Sequence, residues 1–176
     1  MAILVPLDDL EEGAYDAIRQ SIAKQLRSLA ASKLSSTEDQ VTVRDVDMEE
    51  DFSQTDEEWN WSITTANTYV DMLGATFTVP TDKFFAIYSA DLLTNGCGMQ
   101  KIRFTQGGNT TDIWSLRKLL ARDHPCGVTR KPIVATSQTP LQFAFYGSTV
   151  QTEEVVIGIL TAEKRGRLIT EKSFGG

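Results

Sequence analysis

The sequence predicts a mainly β protein: an antiparallel β-sandwich, jelly-roll-like, with one inserted helix and an N-terminal amphipathic helical arm. Three observations predict it. From Trp59 onward, short segments alternating with period two are separated by turn residues, as in sandwiches and barrels. Residues 9–34 instead repeat apolar side chains at intervals of three and four, the pattern of an amphipathic helix. Between them lies a charge block: residues 38–58 hold ten of the chain's 24 acidic residues against a single Arg44, a net charge of −9. The remaining 155 residues come to +2, so the overall −7 belongs to one segment.

Each element has its own signal. In the helical arm, residues 1–34, Leu10, Ala14, Ile18, Ile22, Leu26 and Leu29 share one stripe, and Glu11, Arg19, Lys24, Arg27 and Lys33 take the other face. Pro6 precedes the helix, and Asp9 with Glu12 has capping-box spacing, Asp standing in for Ser or Thr. Something must cover the stripe: the chain's own β-domain or a neighbouring subunit. Residues 35–58 read as an acidic connector. Ser35–Asp39 has loop composition, and Val41–Val46 alternates as a short strand would before the charge resumes. Blocks of like charge repel themselves and stay extended, which suits a solvated linker or a docking arm.

The sandwich is placed at residues 59–172, followed by a flexible tail at 173–176. Strands are expected at Trp61–Thr65, Ala75–Val79, Lys83–Ser89, Met99–Thr105, Pro132–Thr136, Leu141–Tyr146, Glu154–Thr161 and Arg167–Thr170. Gly107, Gly108 and Asn109 mark a turn. The inserted helix is expected after it: Thr111 caps, Asp112 suits the positive end, Ile113, Leu116 and Leu120 share a face, and His124–Pro125 ends it.

A chain of 176 residues suits one domain with an appendage, and its 41% hydrophobic and 23% charged residues are those of a globular protein. Met1–Leu7 lacks the basic start of a signal peptide, and no apolar run approaches the ~18 residues that span a bilayer. No membrane partner is expected, and residence in a cytoplasm, or in a virion made there, is. The acidic balance argues against nucleic acid as a partner, since that binding neutralises phosphates. Cys97 and Cys126, each beside a glycine, form one disulfide or, in a reducing compartment, stay free.

No catalytic set is expected. The one histidine, His124, lies two residues from Cys126 around a proline, a poor arrangement for a facing thiolate–imidazole pair, and no third group is marked. Two cysteines and one histidine fall short of the four ligands of a structural zinc site. Asp45–Asp51 offers alternating carboxylates to calcium, yet has Glu50 where an EF-hand loop needs glycine. Neither a phosphate-binding glycine loop nor a Gly-x-Ser-x-Gly elbow is present, and no cofactor is expected.

Residues 101–131 carry Lys101, Arg103, Arg117, Lys118, Arg122, Arg130 and Lys131 against Asp112 and Asp123, with Trp114 among them. This basic region is a helix's solvated face, a nucleic-acid patch, or the complement of the acidic arm on another copy. A compact β-domain carrying an arm resembles virion structural proteins, such as capsid cement proteins or small jelly-roll capsid proteins of phages. The resemblance implies a non-enzymatic role in which the β-domain tiles a surface and the arm reaches a neighbour, another copy or a major capsid protein. The expected assembly contacts are Leu10, Ile18, Ile22, Leu26 and Leu29 on the helix, Asp45, Asp47, Glu49, Glu50 and Asp51 on the arm, and Arg117, Lys118 and Arg122 on the basic surface. The other reading is a β-sandwich binding module for a small ligand or glycan, using exposed Trp59, Trp61 or Tyr69.

Overall fold

Runs of Val, Ile, Phe and Tyr with alternating polarity form strands because one pleated face can then be buried and the other solvated. The computed structural model describes residues 4–53, 59–72, 77–94, 97–122 and 125–165. In chain order its elements are β1 (Val5–Pro6), α1 (Ala14–Lys33), β2 (Val41–Asp45), α2 (Met48–Phe52), β3 (Asn60–Ile63), β4 (Tyr69–Asp71), β5 (Phe77–Thr78), β6 (Phe84–Leu92), β7 (Met99–Gln106), β8 (Asn109–Ser115), β9 (Cys126–Ala135), β10 (Pro140–Gly147) and β11 (Gln151–Lys164). The predicted strand at Arg167–Thr170 and the tail lie outside the described residues.

The strands make two antiparallel sheets. One runs β1-β9-β6-β11-β2, with β3 pairing on β11 beyond the end of β2; the other runs β4-β10-β7-β8, with β5 also on β10. If β2 with β3 and β4 with β5 are each taken as one interrupted strand and the two-residue β1 beside β9 is set apart, eight remain. Their order is 1-8-3-6 in one sheet and 2-7-4-5 in the other, which is jelly-roll order. The core between the sheets is aromatic: Phe52, Trp61, Phe85, Phe104, Trp114, Phe143 and Phe145 are all buried there.

A second core lies outside the sandwich. α1 crosses the outer face of the larger sheet and buries Ile22, Leu26, Ala30 and Ala31 against Val41, Phe84, Ala86, Tyr88, Val128, Leu160 and Ala162. Leu10 and Ile18 pack partly on the same cluster, and Leu29 is half-buried. The stripe is thus covered by the chain's own sheet. The two alanines let the helix approach closely near its end, and full burial of a residue such as Leu26 stabilises by about 1.5–3 kcal/mol.

Three expectations are corrected. The inserted helix at 111–120 does not form: β8 occupies Asn109–Ser115. Gly107 and Gly108, at φ 55° and 82°, make the two-residue turn in which only glycine-like conformations match the strand twist, and Gln106 pairs with Asn109 across it. The hairpin fixes the register, Thr110, Thr111 and Ile113 suit a strand, and Trp114 reaches the core opposite Ile102. Next, the helix starts at Gly13 (φ 76°), not at an Asp9–Glu12 box; Leu7–Asp9 form a separate 3-10 turn, and Asp9 pairs with Arg122 instead.

The acidic connector is the third. Its described part belongs to the sandwich: β2 pairs with Leu160–Lys164 of β11, and α2 buries Met48 and Phe52 in the aromatic core. Alternating valines earned Val41–Asp45 a place in the sheet, and one turn of helix capped by Asp47 turns Phe52 inward.

β6 carries a bulge between Ile87 and Ser89. Before it, Phe85 and Ile87 face the core; after it, Ala90 and Leu92 do. The extra residue shifts the alternation by one, so Tyr88, Ser89 and Asp91 are all directed to the outer face.

Leu26→Ala is expected to cost about 2–5 kcal/mol, read as a lower urea midpoint at unchanged slope, whereas Gln20→Ala on the exposed face stays within about 0.5 kcal/mol. Deleting residues 1–34 is expected to abolish cooperative unfolding, because it uncovers Phe84, Tyr88 and Leu160.

Candidate functional site

Among the described residues, ionisable groups gather at three places, and the chemistry open to each depends on what already binds it. The first is a buried ion cluster joining α2, β2, β6 and β11. Asp51 is 1% exposed and Glu163 0%. Asp51 accepts from Arg44 Nη1 (2.7 Å) and Nη2 (3.1 Å), from Lys83 Nζ (2.6 Å) and from the Asp47 N–H (2.8 Å). Glu163 Oε1 takes Arg44 Nε at 2.9 Å, while Oε2 lies 3.4 Å from Lys83 Nζ. Glu50, at the rim, reaches Lys83 at 3.1 Å and Arg44 at 3.3 Å.

Burial by itself would raise the Asp51 carboxyl, but Arg44, Lys83 and the Asp47 N–H outweigh it and hold the group below the usual carboxylate range. Burial would likewise lower Lys83, and its carboxylate partners raise it instead. Every oxygen a calcium ion would need at Asp51 is thus already engaged by a fixed cation or an N–H. Among the described residues no group of three His, Cys, Asp or Glu side chains is placed to hold a metal.

The second place is Glu153, fully buried at the start of β11. Its carboxylate accepts from the Gly98 N–H (2.6 Å), the Met99 N–H (3.1 Å), Gln151 Nε2 (2.6 Å) and the Cys97 thiol, and so ties the larger sheet to the start of β7 in the smaller one. Cys97 and Cys126 are both free thiols. Burial, with Glu153 adding to it, pushes Cys97 up to about 12; burial beside Asp91 pushes Cys126 up to about 11. Both therefore lack the lowered pKa that makes a thiolate nucleophile at neutral pH. His124 lies outside the described residues, so its pairing with Cys126 is not placed.

The third place is the outer face of the smaller sheet. Strand register sets Tyr146 opposite both Tyr69 and Lys101, with Arg103 two residues further along β7. Lys101 Nζ sits 5.2 Å from the Tyr146 ring centre, Arg103 lies over Tyr69 at 4.2 Å, and the two tyrosine rings are 5.5 Å apart. These four half-buried side chains make a cation–aromatic row, each pair contributing about 0.5–1 kcal/mol. The sequence held a signal for it, since Lys101 and Arg103 alternate within one predicted strand; what brings the tyrosines beside them is strand pairing.

Of the residues expected to mediate assembly, Ile22, Leu26 and Asp51 are buried within the chain, and Leu10, Ile18 and Leu29 are partly so. Asp45 is exposed but bonded to Arg19 at 2.8 Å. Asp47 caps α2 through the Glu50 N–H, Glu50 belongs to the ion cluster, and Glu49 is exposed. Arg117 donates to Gln100 (2.9 Å), Arg122 pairs with Asp9 (2.8 Å), and Lys118 is exposed. The structure does not bring the helix stripe, the acidic residues and the basic residues into one surface. Trp114 is fully buried against Phe104 and offers no stacking platform to a base; Trp61 is buried too, donating to the Val155 carbonyl. Trp59 is half-buried against the core.

No protein-family model matches the chain, and no curated protein sequence matches it. Among the described residues no helix is long and apolar enough to cross a membrane.

Asp51→Ala is expected to destabilise by about 3–5 kcal/mol in urea at pH 7, because it removes the buried carboxylate shared by Arg44 and Lys83, and adding Lys83→Met is expected to recover part of that loss. Asp51's contribution is full above its ordinary value of 3.8 and is lost as the pH falls through its lower folded value; Lys83's is full below 10.5 and is lost as the pH rises through its higher one. Denaturation curves across pH check both limbs and their loss in the double variant. Native protein at pH 8 is expected to resist iodoacetamide at both cysteines, with full labelling after unfolding, measured by intact mass.

Proposed function

We propose that this protein is a non-enzymatic structural protein that works by assembly, a virion component of the cement, decoration or small capsid kind. The observation that carries the reading is the asymmetry of the jelly roll. α1 roofs one sheet, whereas the outer face of the other presents Tyr69, Tyr146, Lys101 and Arg103. Tyrosine gives large contact area with few rotatable bonds, and tyrosine and arginine are both enriched at protein interfaces. The virion part of the reading is an analogy of layout between jelly-roll shells and this chain.

The geometry also moves the contact surface. The apolar stripe of the helical arm is used up on its own sheet, so a neighbour, either another copy or a major capsid protein, meets the exposed side of α1 or the tyrosine-bearing sheet. Three of the acidic segment's residues, Asp45, Glu50 and Asp51, are paired with cations of the same chain, and these contribute less steering charge than composition implies.

Light scattering after size-exclusion chromatography, with co-sedimentation on assembled shells, tests the proposal. The expected result is self-association or shell capture that weakens in Lys101→Glu/Arg103→Glu and at high salt, where the Debye length falls to about 3 Å. A strict monomer that binds no shell, or assembly unchanged in the double variant, would overturn it.

A further inference from the structure

On the outer face of the larger sheet, beside the start of α1, lies a groove of about 230 Å³ lined by Tyr15, Trp59, Tyr88, Ser89, Asp91 and Cys126 among others. It opens where β11 changes partner: β2 ends at Asp45 and β3 begins at Asn60, and among the described residues only Val46, on Ile159, and Trp59, on Val155, bond to β11 between them. The bulge in β6 supplies its polar group. Without the extra residue Asp91 would point into the aromatic core; with it, Asp91 faces out beside Cys126 on β9 and Val156 on β11. Gly158 keeps the floor low, since a Cβ there would overlap Ser89 Oγ.

Asp91 is half-buried, and among the described residues no side chain or N–H bonds to its carboxylate. Burial raises its pKa, and among the described residues no cation offsets it. The fully buried carboxylates differ: Asp51 and Glu163 have Arg44 and Lys83, and Glu153 has N–H donors. Asp45, at the far end of the groove, is held by Arg19. The aromatic walls are close together, the Tyr15 and Tyr88 rings being 6.3 Å apart with their hydroxyls at 3.4 Å. A carboxylate without a cation, set among three electron-rich rings, matches one kind of ligand: a cation with an apolar shell.

We propose that this groove is a binding site for an alkylammonium group, with Asp91 as the counter-ion and Tyr15, Trp59 and Tyr88 as the aromatic wall. The size agrees, since the volume is below the roughly 300–1,000 Å³ of sites for drug-sized molecules and suits a single headgroup. A free amine and the side chain of a lysine carry the same chemistry, and both enter through the open side. Arg19 satisfies Asp45 and leaves Asp91 as the carboxylate open to the ligand.

Nuclear magnetic resonance titration of the full chain with tetramethylammonium, n-butylammonium and blocked lysine chlorides tests it, with sodium chloride as the ionic-strength control. The expected result is saturable shifts at Tyr15, Ser89, Asp91, Cys126 and Gly158, with a Kd in the millimolar range or tighter, absent with sodium. Asp91→Asn is expected to weaken binding about ten-fold or more without lowering the melting temperature, and Asp45→Asn to leave it within about two-fold. Binding is also expected to fall as acidification protonates Asp91; Asp45 is the other carboxylate facing the groove, and Arg19, Tyr88 and Cys126, all with raised values, keep their protonation there. Tighter binding of blocked lysine than of the other two identifies a lysine side chain as the source, and the reverse a free amine. Shifts that sodium reproduces, or binding that survives Asp91→Asn, would overturn the proposal.

Discussion

A carboxylate buried without a cation costs several kcal/mol, and this chain buries Asp51 and Glu163 side by side at the junction of four elements. Arg44 and Lys83 meet that cost, and the geometry of their pairing fixes much else. Arg44 on β2 must lie against β11 to reach Glu163; α2 must come directly after β2 to bring Asp51 onto the same guanidinium; Lys83 must enter at the head of β6 to close the group. With α2 so placed, Phe52 has one position, among Phe77, Phe85 and Phe143 in the core. Charge pairing at the rim and aromatic packing inside thus enforce one another.

The same economy governs the surfaces. Charges used internally are withdrawn from partners: Asp45 goes to Arg19, Asp9 to Arg122, Asp51 to the cluster. Among the groups left outside such pairs are the tyrosine–cation row on the smaller sheet and Asp91 in the groove on the larger one. Both depend on strand register rather than on composition. The row exists because β10 sets Tyr146 between β4 and β7, and the groove because one extra residue in β6 reverses which side chains face outward.

Much of the architecture was legible in the residues. The three-four spacing of Ile18, Ile22 and Leu26 identified α1, and alternation located the strands from β6 through β11 except β8 and the first six residues of β9. That exception is instructive: Ile113, Leu116 and Leu120 do have helical spacing, but Gly107–Gly108 closes a hairpin, and the hairpin commits Asn109–Ser115 to pairing with β7. The short β1 and β4 carry too few residues for a pattern. The candidate sites were less legible. Asp91 sits one residue out of phase with its strand, and only the bulge explains why an acid is tolerated there.

Alone, the sequence determined the long amphipathic helix, most of the longer strands and the concentration of acid in one stretch, because these depend on neighbours a few positions away. The tertiary structure decided where that acid goes. Arg44 and Glu163 are 119 positions apart, and Trp61 and the Val155 carbonyl 94. Whether such groups meet depends on which strands become neighbours, which is settled by how two sheets and a helix bury their apolar faces together. A stretch that composition marks as a solvated tether is for that reason an edge strand, a capped turn of helix and one half of a buried ion cluster.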